Sequence, residues 1–256
     1  MSQSNSDTTI ALITGANQGI GRAAATRLAK EHGFTVIMGS RNLSAGQEVA
    51  DELQAAGCKA SAVQLDISSD TSIAAAVETI TERFGRVDVL INNAGILLDE
   101  GGNVFKAQTK LGTRDLFERT FGTNVIGTAC VTEALLPLLR KAKQPPGPRI
   151  IFVSSRMGAF GFSSDRTTQA WPLDYKAYDA SKAAVNMLAV NYARILEEIG
   201  GTANAVCPGL VSTSLIGYHS AGVPAEVGAQ RIVELSRGGE GGPNGTFSDK
   251  DGPLEW

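Results

Sequence analysis

The sequence has few of the residues that disulfide frameworks and metal centres require. Its 256 residues include three cysteines and two histidines, with no CxxC motif. Because Cys58, Cys130 and Cys207 are far apart and odd in number, they argue against a disulfide framework. Two histidines without paired cysteines give no support for a metal site. We interpret all three thiols as small core residues, since cysteine is among the most often buried residue types.

Excess charge and long hydrophobic runs are also lacking. The 23 basic and 26 acidic residues give a formal charge of −3, and no basic block stands out, which argues against nucleic acid as a partner. The sequence contains no run of about 18 apolar residues, which is the length that a membrane-spanning helix requires. The polar start MSQSNSDTT lacks the basic and apolar regions of a secretory signal. We therefore expect a cytoplasmic protein without membrane contact.

Six short, β-branched apolar runs alternate with longer amphipathic stretches. The runs are TIALIT (9–14), TVIMG (35–39), SAVQL (61–65), VDVLI (87–91), RIIFVS (149–154) and TANAVC (202–207). This alternation is typical of a parallel, doubly wound α/β sheet with helices on both faces. The β/α alternation continues across the turn QPPGP (144–148), so we predict a single domain over 9–256 after a flexible N-terminus (1–8).

A glycine cluster, TGANQGIG (14–21), follows the first predicted strand and opens the first predicted helix. Gly15 permits a sharp turn, Gly19 lets the backbone approach a ligand, and Gly21 lets the helix pack against the sheet. The free amides at the helix N-terminus would then face a pyrophosphate. Because the spacing is GxxxGxG rather than GxGxxG, the cluster alone fits a plain tight turn about equally well.

A tyrosine and a lysine lie four residues apart in YDASK (178–182), ahead of an Ala-rich helical run. Positions i and i+4 share one helix face, so Tyr178 and Lys182 can point into one cavity. The pair is either catalytic or ordinary decoration of a helix surface. The nearby Tyr175 has no such partner, because position 179 is aspartate.

Five motifs together resemble the short-chain dehydrogenase/reductase family and occur in that family's order. They are TGANQGIG, NNAG (92–95), SSRMG (154–158), YDASK and PGLVST (208–213). The resemblance implies a Rossmann fold with a mainly parallel sheet of about seven strands and a nicotinamide dinucleotide cofactor. All five motifs fall at the carboxyl ends of predicted strands, where ligands of open α/β sheets bind.

The resemblance implies that Tyr178 is the general acid/base and that Lys182 holds the ribose hydroxyls and biases the tyrosine. It also implies that Ser155 hydrogen-bonds the substrate carbonyl and that Asn124 is a relay residue. Carbonyl reduction makes an alkoxide that must receive a proton. Lowering a phenol pKa from ~10 to ~7 takes about 4 kcal/mol, which one cation at ~4 Å supplies in an effective dielectric of ~20. Alternatively, Ser155 caps a loop, and Asn124 caps a helix or satisfies a buried carbonyl.

The second predicted strand leads into GSRN (39–42), where an NAD-binding protein would carry a carboxylate. Ser40 and Arg41 offer donors and a guanidinium to the 2′-phosphate of NADP, and the next acid is Glu48, so we expect NADPH. The resemblance implies that Asp66 meets the adenine; the alternative is a helix N-cap. The full set of expected cofactor contacts is Gly15, Asn17, Gln18, Gly19, Ile20, Gly21, Ser40, Arg41, Asp66, Ile67, Asn93, Ala94, Gly95, Tyr178, Lys182, Pro208, Gly209, Val211 and Thr213.

The ending GTFSDKDGPLEW (245–256) is similar to the tail of carbonyl reductases within the family. We expect NADPH-dependent reduction of a ketone or aldehyde, with an NAD-linked alcohol dehydrogenase and a non-catalytic dinucleotide sensor as alternatives. The chain lacks the large insertion of monomeric animal carbonyl reductases, so a homo-oligomer is a possible state. Apolar side chains could line a pocket for an apolar or aromatic carbonyl substrate or belong to the core: Met157, Phe160, Phe162, Trp171, Leu215, Ile216 and Tyr218.

Overall fold

The described residues form one sheet of eight strands. The computed structural model describes residues 8–99, 111–143, 145–239 and 241–256. The strands are β1 (Ile10–Thr14), β2 (Thr35–Ser40), β3 (Ala60–Gln64), β4 (Val89–Asn92), β5 (Arg149–Val153), β6 (Thr202–Val206), β7 (Phe247–Asp249) and β8 (Gly252–Pro253). They lie in the order β3-β2-β1-β4-β5-β6-β7-β8. Neighbouring strands are parallel except β7 and β8, which are antiparallel.

Helices connect successive strands and cover the sheet. They are α1 (Gly19–His32), α2 (Leu43–Ala55), α3 (Asp70–Phe84), α4 (Thr113–Phe121), α5 (Thr128–Leu139), α6 (Phe160–Ser164), α7 (Lys176–Glu197), α8 (Ala225–Gly228) and α9 (Gln230–Arg237). A π-helical segment (Gly122–Gly127) joins α4 to α5, and short 3-10 turns occur at Arg156–Gly158 and Ser214–Ile216. Such π-helical segments often occur at functional sites.

Apolar side chains alternate between the two faces of the sheet. Leu12 and Leu90 belong to a cluster with residues of α3, α5 and α7. Ile13 and Ile91 belong to a second cluster with residues of α1, α2 and α9. Because helices cover both faces, β1 and β5 are buried along their whole length and have no polar alternation. The predicted doubly wound, mainly parallel fold is confirmed.

The six predicted strands are present, each with bounds within two residues of the prediction. Gly33 ends α1 in the left-handed conformation, with φ of 65°, which glycine adopts without strain. The sheet has eight strands rather than about seven, because the short β7–β8 hairpin occupies the segment that we interpreted as a tail. Residues 1–7 of the expected flexible N-terminus lie outside the described residues.

One continuous helical stretch, Thr113–Leu139, is long and apolar enough by length and composition to cross a membrane. Its most apolar window has a mean hydropathy of 1.3 and is 44% buried. Core helices of soluble proteins have the same properties, and this stretch contributes Val131 and Leu135 to the core. The expectation of no membrane contact stays a prediction.

Candidate active site

A cleft of about 280 Å³ opens at the carboxyl ends of the strands. It lies at the switch point between β1 and β4, where open α/β sheets bind ligands. Most of the predicted site residues line it: Gly15, Asn17, Gln18, Gly19, Ile20, Ser40, Arg41, Asp66, Ile67, Asn93, Ala94, Gly95, Tyr178, Lys182, Pro208 and Thr213. Gly21, Asn124, Ser155, Gly209 and Val211 are not among the lining residues.

The glycine loop is tied to the NNAG segment by a threonine that our sequence interpretation did not select. Thr14 Oγ1 accepts hydrogen bonds from the backbone amides of Asn93 and Ala94, each at 3.0 Å. Asn93 Nδ2 donates in return to the carbonyl oxygens of Thr14 and Gly15, at 2.8 and 3.2 Å. At Gly21 an added Cβ would lie 2.5 Å from Asn93 Nδ2, so only glycine fits there. Gly21 therefore supports the cleft without lining it.

The residues after β2 form one end of the cleft. Arg41 is exposed, whereas Ser40 is buried and donates its hydroxyl proton to the Asn42 carbonyl oxygen at 2.7 Å. Ser40 also lines the cleft, and its expected contact with a phosphate stays a prediction. The side chain of Asn42 lines the cleft and accepts the Ala45 amide, which leaves its NH₂ group as a donor. The signal for Asn42 in the sequence was its place just before a helical pattern.

Asp66 follows β3 at the same end of the cleft. Its Oδ1 accepts the Ser68 amide at 2.9 Å and the Ser68 hydroxyl at 2.6 Å, and these bonds lower the pKa of the Asp66 carboxyl. Arg41 lowers it further through its charge. The N-cap of α3 is Ser69, which accepts the Ser72 amide, so the carboxylate of Asp66 does not cap this helix.

Tyr178 and Lys182 lie on the buried face of α7, as their spacing predicts. Their exposed fractions are 8% and 6%. Lys182 Nζ lies 5.5 Å from the centre of the Tyr178 ring and donates a hydrogen bond to the Val153 carbonyl oxygen at 2.8 Å. The pair therefore shares one cavity and is not decoration of a helix surface.

Ser155 lies at the end of β5, beside the tyrosine. Its side chain lies close enough to the Tyr178 phenol to oppose the rise in the phenol's pKa. Ser155 Oγ also accepts the Met157 amide at 3.1 Å and so caps the 3-10 turn. Ser155 is thus a loop cap, as the alternative interpretation predicted. This role does not exclude contact with a substrate, because the same side chain lies beside the phenol.

Asn124 occupies the π-helical segment and is 1% exposed. Its amide group accepts the Ile96 N–H at 2.8 Å and donates to the Ile96 carbonyl oxygen at 2.9 Å. It donates a further hydrogen bond to Ser181 Oγ at 3.0 Å. Asn124 therefore joins the segment after β4 to α7, and its expected relay role stays a prediction.

Burial controls the titration of the central pair. It raises the pKa of the Tyr178 phenol above its usual 10, against the opposing effect of the Ser155 side chain. It lowers the pKa of Lys182 from 10.5 to about 8. Desolvation is the largest effect on the pKa of this phenol, and the expected lowering of that pKa by Lys182 stays a prediction. Near neutral pH, Tyr178 keeps its proton and Lys182 keeps its charge.

A buried carboxylate, Asp99, holds the N-terminal end of α7. It is 2% exposed and accepts the backbone amides of Ala177 at 2.9 Å and Tyr178 at 3.1 Å. A carboxylate at this end of a helix satisfies free amides and is favoured by the helix dipole. Our sequence interpretation missed Asp99, because it lies 78 residues from its partner and no local pattern marks it.

The expected apolar substrate residues divide into three groups. Phe162 packs against the core cluster, and Met157 and Ile216 are half-buried. Phe160, Trp171, Leu215 and Tyr218 are exposed, and of these four Leu215 lines the cleft.

The cleft suits a dinucleotide by shape and by charge. At Gly95 an added Cβ would lie 3.3 Å from Asn124 Oδ1 and 3.7 Å from Lys182 Nζ, so the glycine keeps open the space in front of the lysine. Gly15 adopts a φ of +64° that strains other residues and turns the chain from β1 into α1. Two cations, Arg41 and Lys182, line the cleft at positions that can bind phosphate and ribose groups.

Comparison with known proteins agrees with this geometry. The sequence matches the short chain dehydrogenase family over residues 9–222. The chain belongs to the short-chain dehydrogenase/reductase family. Members of this family are oxidoreductases that bind a nicotinamide dinucleotide.

Relatives in the family span nearly the whole chain. A protein from Sus scrofa named carbonyl reductase (NADPH) 1 is 31% identical, and the alignment covers 98% of this chain and 96% of the relative. A 3beta-hydroxysteroid dehydrogenase from Mediterraneibacter gnavus is 35% identical, with 98% and 77% covered. The structure of an NADPH-bound carbonyl reductase from chicken fatty liver superposes with a TM-score of 0.79 at 26% identity, with 97% and 99% covered.

Proposed function

We propose that the protein is an NADPH-dependent reductase that converts ketone or aldehyde carbonyls to alcohols. The observation that carries this proposal is the buried pair of Tyr178 and Lys182, which line the cleft together with Lys182 Nζ 5.5 Å from the centre of the phenol ring. A protein that only senses a dinucleotide has no need of a buried acid beside a buried cation.

The protein groups have separate tasks in this proposal. Ser155 donates a hydrogen bond to the substrate carbonyl oxygen and orients it, and Tyr178 supplies the proton to that oxygen. The raised pKa of Tyr178 keeps the phenol protonated at neutral pH, which is the form that reduction requires. Lys182 holds the ribose hydroxyls and places a positive charge beside the phenolate that remains. When bound, the nicotinamide supplies a hydride to the carbonyl carbon.

The preference for NADPH over NADH rests on Arg41 and Asn42. A guanidinium binds a phosphate through charge-assisted hydrogen bonds, and the NH₂ group of Asn42 adds a donor at the same end of the cleft. The pig relative carries NADPH in its name and the chicken structure contains it. These two proteins support the same preference here. An NAD-linked alcohol dehydrogenase is the alternative within the family.

The substrate is proposed to be a bulky apolar or aromatic carbonyl compound. Leu215 and Ile96 line the cleft. Apolar lining favours ligands that bury apolar area. The 3beta-hydroxysteroid dehydrogenase among the relatives is named for a substrate of this kind. A cytoplasmic location is part of the same proposal.

The test is a screen of the purified protein with NADPH and with NADH. The loss of cofactor absorbance is followed with aryl ketones, alicyclic ketones, diketones, quinones and aldehydes. We expect turnover with NADPH and a lower kcat/KM with NADH for the same compound. Faster turnover with NADH would favour the alcohol dehydrogenase. Tight NADPH binding without turnover of any compound would favour a sensor.

A further inference from the structure

The position of Ser155 depends on a very short turn. The 3-10 turn that follows it contains three residues, Arg156–Gly158, and the Ser155 hydroxyl caps that turn through the Met157 amide. So few internal hydrogen bonds do not fix a turn by themselves. Gly158 fits tightly against α7, since an added Cβ would lie 2.5 Å from the Ala183 amide nitrogen. Ser154, directly before Ser155, donates its amide to the Val206 carbonyl oxygen and its hydroxyl to Asn186 Oδ1, so the position of Ser155 further depends on what holds the residue after it.

Arg156 is anchored by two contacts. Its backbone amide donates a hydrogen bond to Cys207 Sγ at 3.3 Å, at the end of β6. Its guanidinium forms an ion pair with Asp249 Oδ2, 93 residues further along the chain. The residue directly after Ser155 is thus held from both its backbone and its side chain.

Asp249 is itself held rigidly in the C-terminal hairpin. It ends β7 and pairs with Gly252 of β8. Its other oxygen, Oδ1, accepts the Asp251 amide at 2.9 Å, and its side chain is 10% exposed. Both oxygens therefore have partners, and the carboxylate presents a fixed acceptor to Arg156.

We infer that Asp249 is a positioning residue for the reaction: through Arg156 it holds the turn that sets the Ser155 hydroxyl beside the Tyr178 phenol. This inference rests on the proposed function, because it takes Ser155 to be the group that orients the substrate carbonyl. It extends the active site to the C-terminal hairpin, which contributes no residue to the lining of the cleft.

Stability alone does not account for this ion pair. The Arg156 side chain is 43% exposed, and pairs that reach solvent contribute little to folding. Misplacement of a reacting group by about 1 Å, in contrast, can cost about 100-fold in rate. Removing the pair should therefore reduce catalysis far more than it reduces stability.

The test compares Asp249→Asn with Asp251→Asn. Asp251 is the matched control, since its carboxylate forms an exposed ion pair with Lys250 at 2.6 Å in the same hairpin. We expect Asp249→Asn to lower kcat/KM for carbonyl reduction by about 10- to 100-fold. The Kd for NADPH and the Tm should stay close to those of the wild type. Asp251→Asn should behave as the wild type. Equal effects of the two substitutions would overturn the inference.

Combined variants show whether the effect passes through Ser155. In a Ser155→Ala background, Asp249→Asn should cause no further loss, because the group that it positions is already absent. Arg156→Gln should give the same loss as Asp249→Asn, and the double variant should be no worse than either. Multiplicative losses in the Ser155→Ala background would contradict a positioning role.

Hydrogen exchange supplies a readout that does not depend on carbonyl reduction. Asp249→Asn should speed amide exchange at Arg156–Gly158 and leave α7 unchanged. Unchanged exchange in the turn would refute the anchor even if the wild type is active. If the wild type reduces no carbonyl compound while exchange in the turn still depends on Asp249, the proposed function fails and the anchor stands.

Discussion

Replacing Lys182 with methionine should separate the cost of burying its charge from the benefit of that charge. Burial lowers the pKa of Lys182 from 10.5 to about 8, which corresponds to about 3 kcal/mol of destabilisation of the folded protein at pH 7. Methionine removes this cost and leaves the buried Val153 carbonyl oxygen without its charged donor, a loss of about 2 kcal/mol. The net effect is a gain of about 1 kcal/mol, or roughly 2–4 °C in Tm for a chain of this size.

The pH dependence has a definite sign. Because the folded-state pKa lies below the unfolded one, the cost is full below about pH 8 and disappears as the pH rises towards 10.5. The Tm advantage of Lys182→Met should therefore shrink over this range. Differential scanning fluorimetry measures it, with the exposed Lys30→Met as control. In the same assay NADPH should stabilise Lys182→Met less than the wild type, since a charged hydrogen bond is lost. A lower Tm for Lys182→Met without NADPH would refute the reasoning.

Two further predictions concern other parts of the site. Arg41→Asp should shift kcat/KM from NADPH towards NADH, because a carboxylate repels the 2′-phosphate. The control Arg140→Asp should leave the ratio of kcat/KM with NADPH to kcat/KM with NADH unchanged. An unchanged ratio in Arg41→Asp would show that Arg41 does not bind the phosphate. Asp179→Asn should raise the Tm at about pH 8 and change it little at about pH 4. Burial and the neighbouring Asp99 and Asp174 raise the pKa of Asp179 from 3.8 to about 7. The folded protein therefore loses stability as the pH rises from 3.8 to about 7, because the unfolded chain releases this proton first. Equal Tm shifts at both pH values would contradict this.

Local sequence patterns were sufficient to predict the strands of the sheet and the segments that form the site. The six longer strands are buried on both faces, so continuous apolar runs identify them. The short β7–β8 hairpin has five residues in strands and too little pattern for detection. The spacing of Tyr178 and Lys182 was informative because α7 is continuous through both residues.

The local contacts of Ser40 could not be predicted from its residue type. Successive residues of a strand point to opposite faces, and the last residue of β2 points towards α2, where Gly46 makes room for it. Its hydroxyl donates there to the Asn42 carbonyl oxygen. The sequence predicted the segment that forms this end of the cleft, but the strand register decides which partner each side chain meets.

Contacts between distant segments could not be predicted at all. Asp99 binds the amides of α7 across 78 residues, and Arg156 pairs with Asp249 across 93 residues. Each depends on where the completed fold brings two distant segments together, and neither leaves a periodic pattern in the sequence. Such residues control the position of Tyr178 and Ser155 while their own neighbours in sequence are unremarkable in composition.

The most direct test of carbonyl reduction by this site is the kinetics of Tyr178→Phe. This substitution deletes one buried hydroxyl, so NADPH should bind with wild-type affinity while kcat for carbonyl reduction falls by at least ~100-fold, the scale expected for a positioned general acid. Tyr175→Phe, which changes another buried tyrosine at the start of the same helix, is the matched control and should keep most of its activity. Near wild-type kcat in Tyr178→Phe would contradict the account.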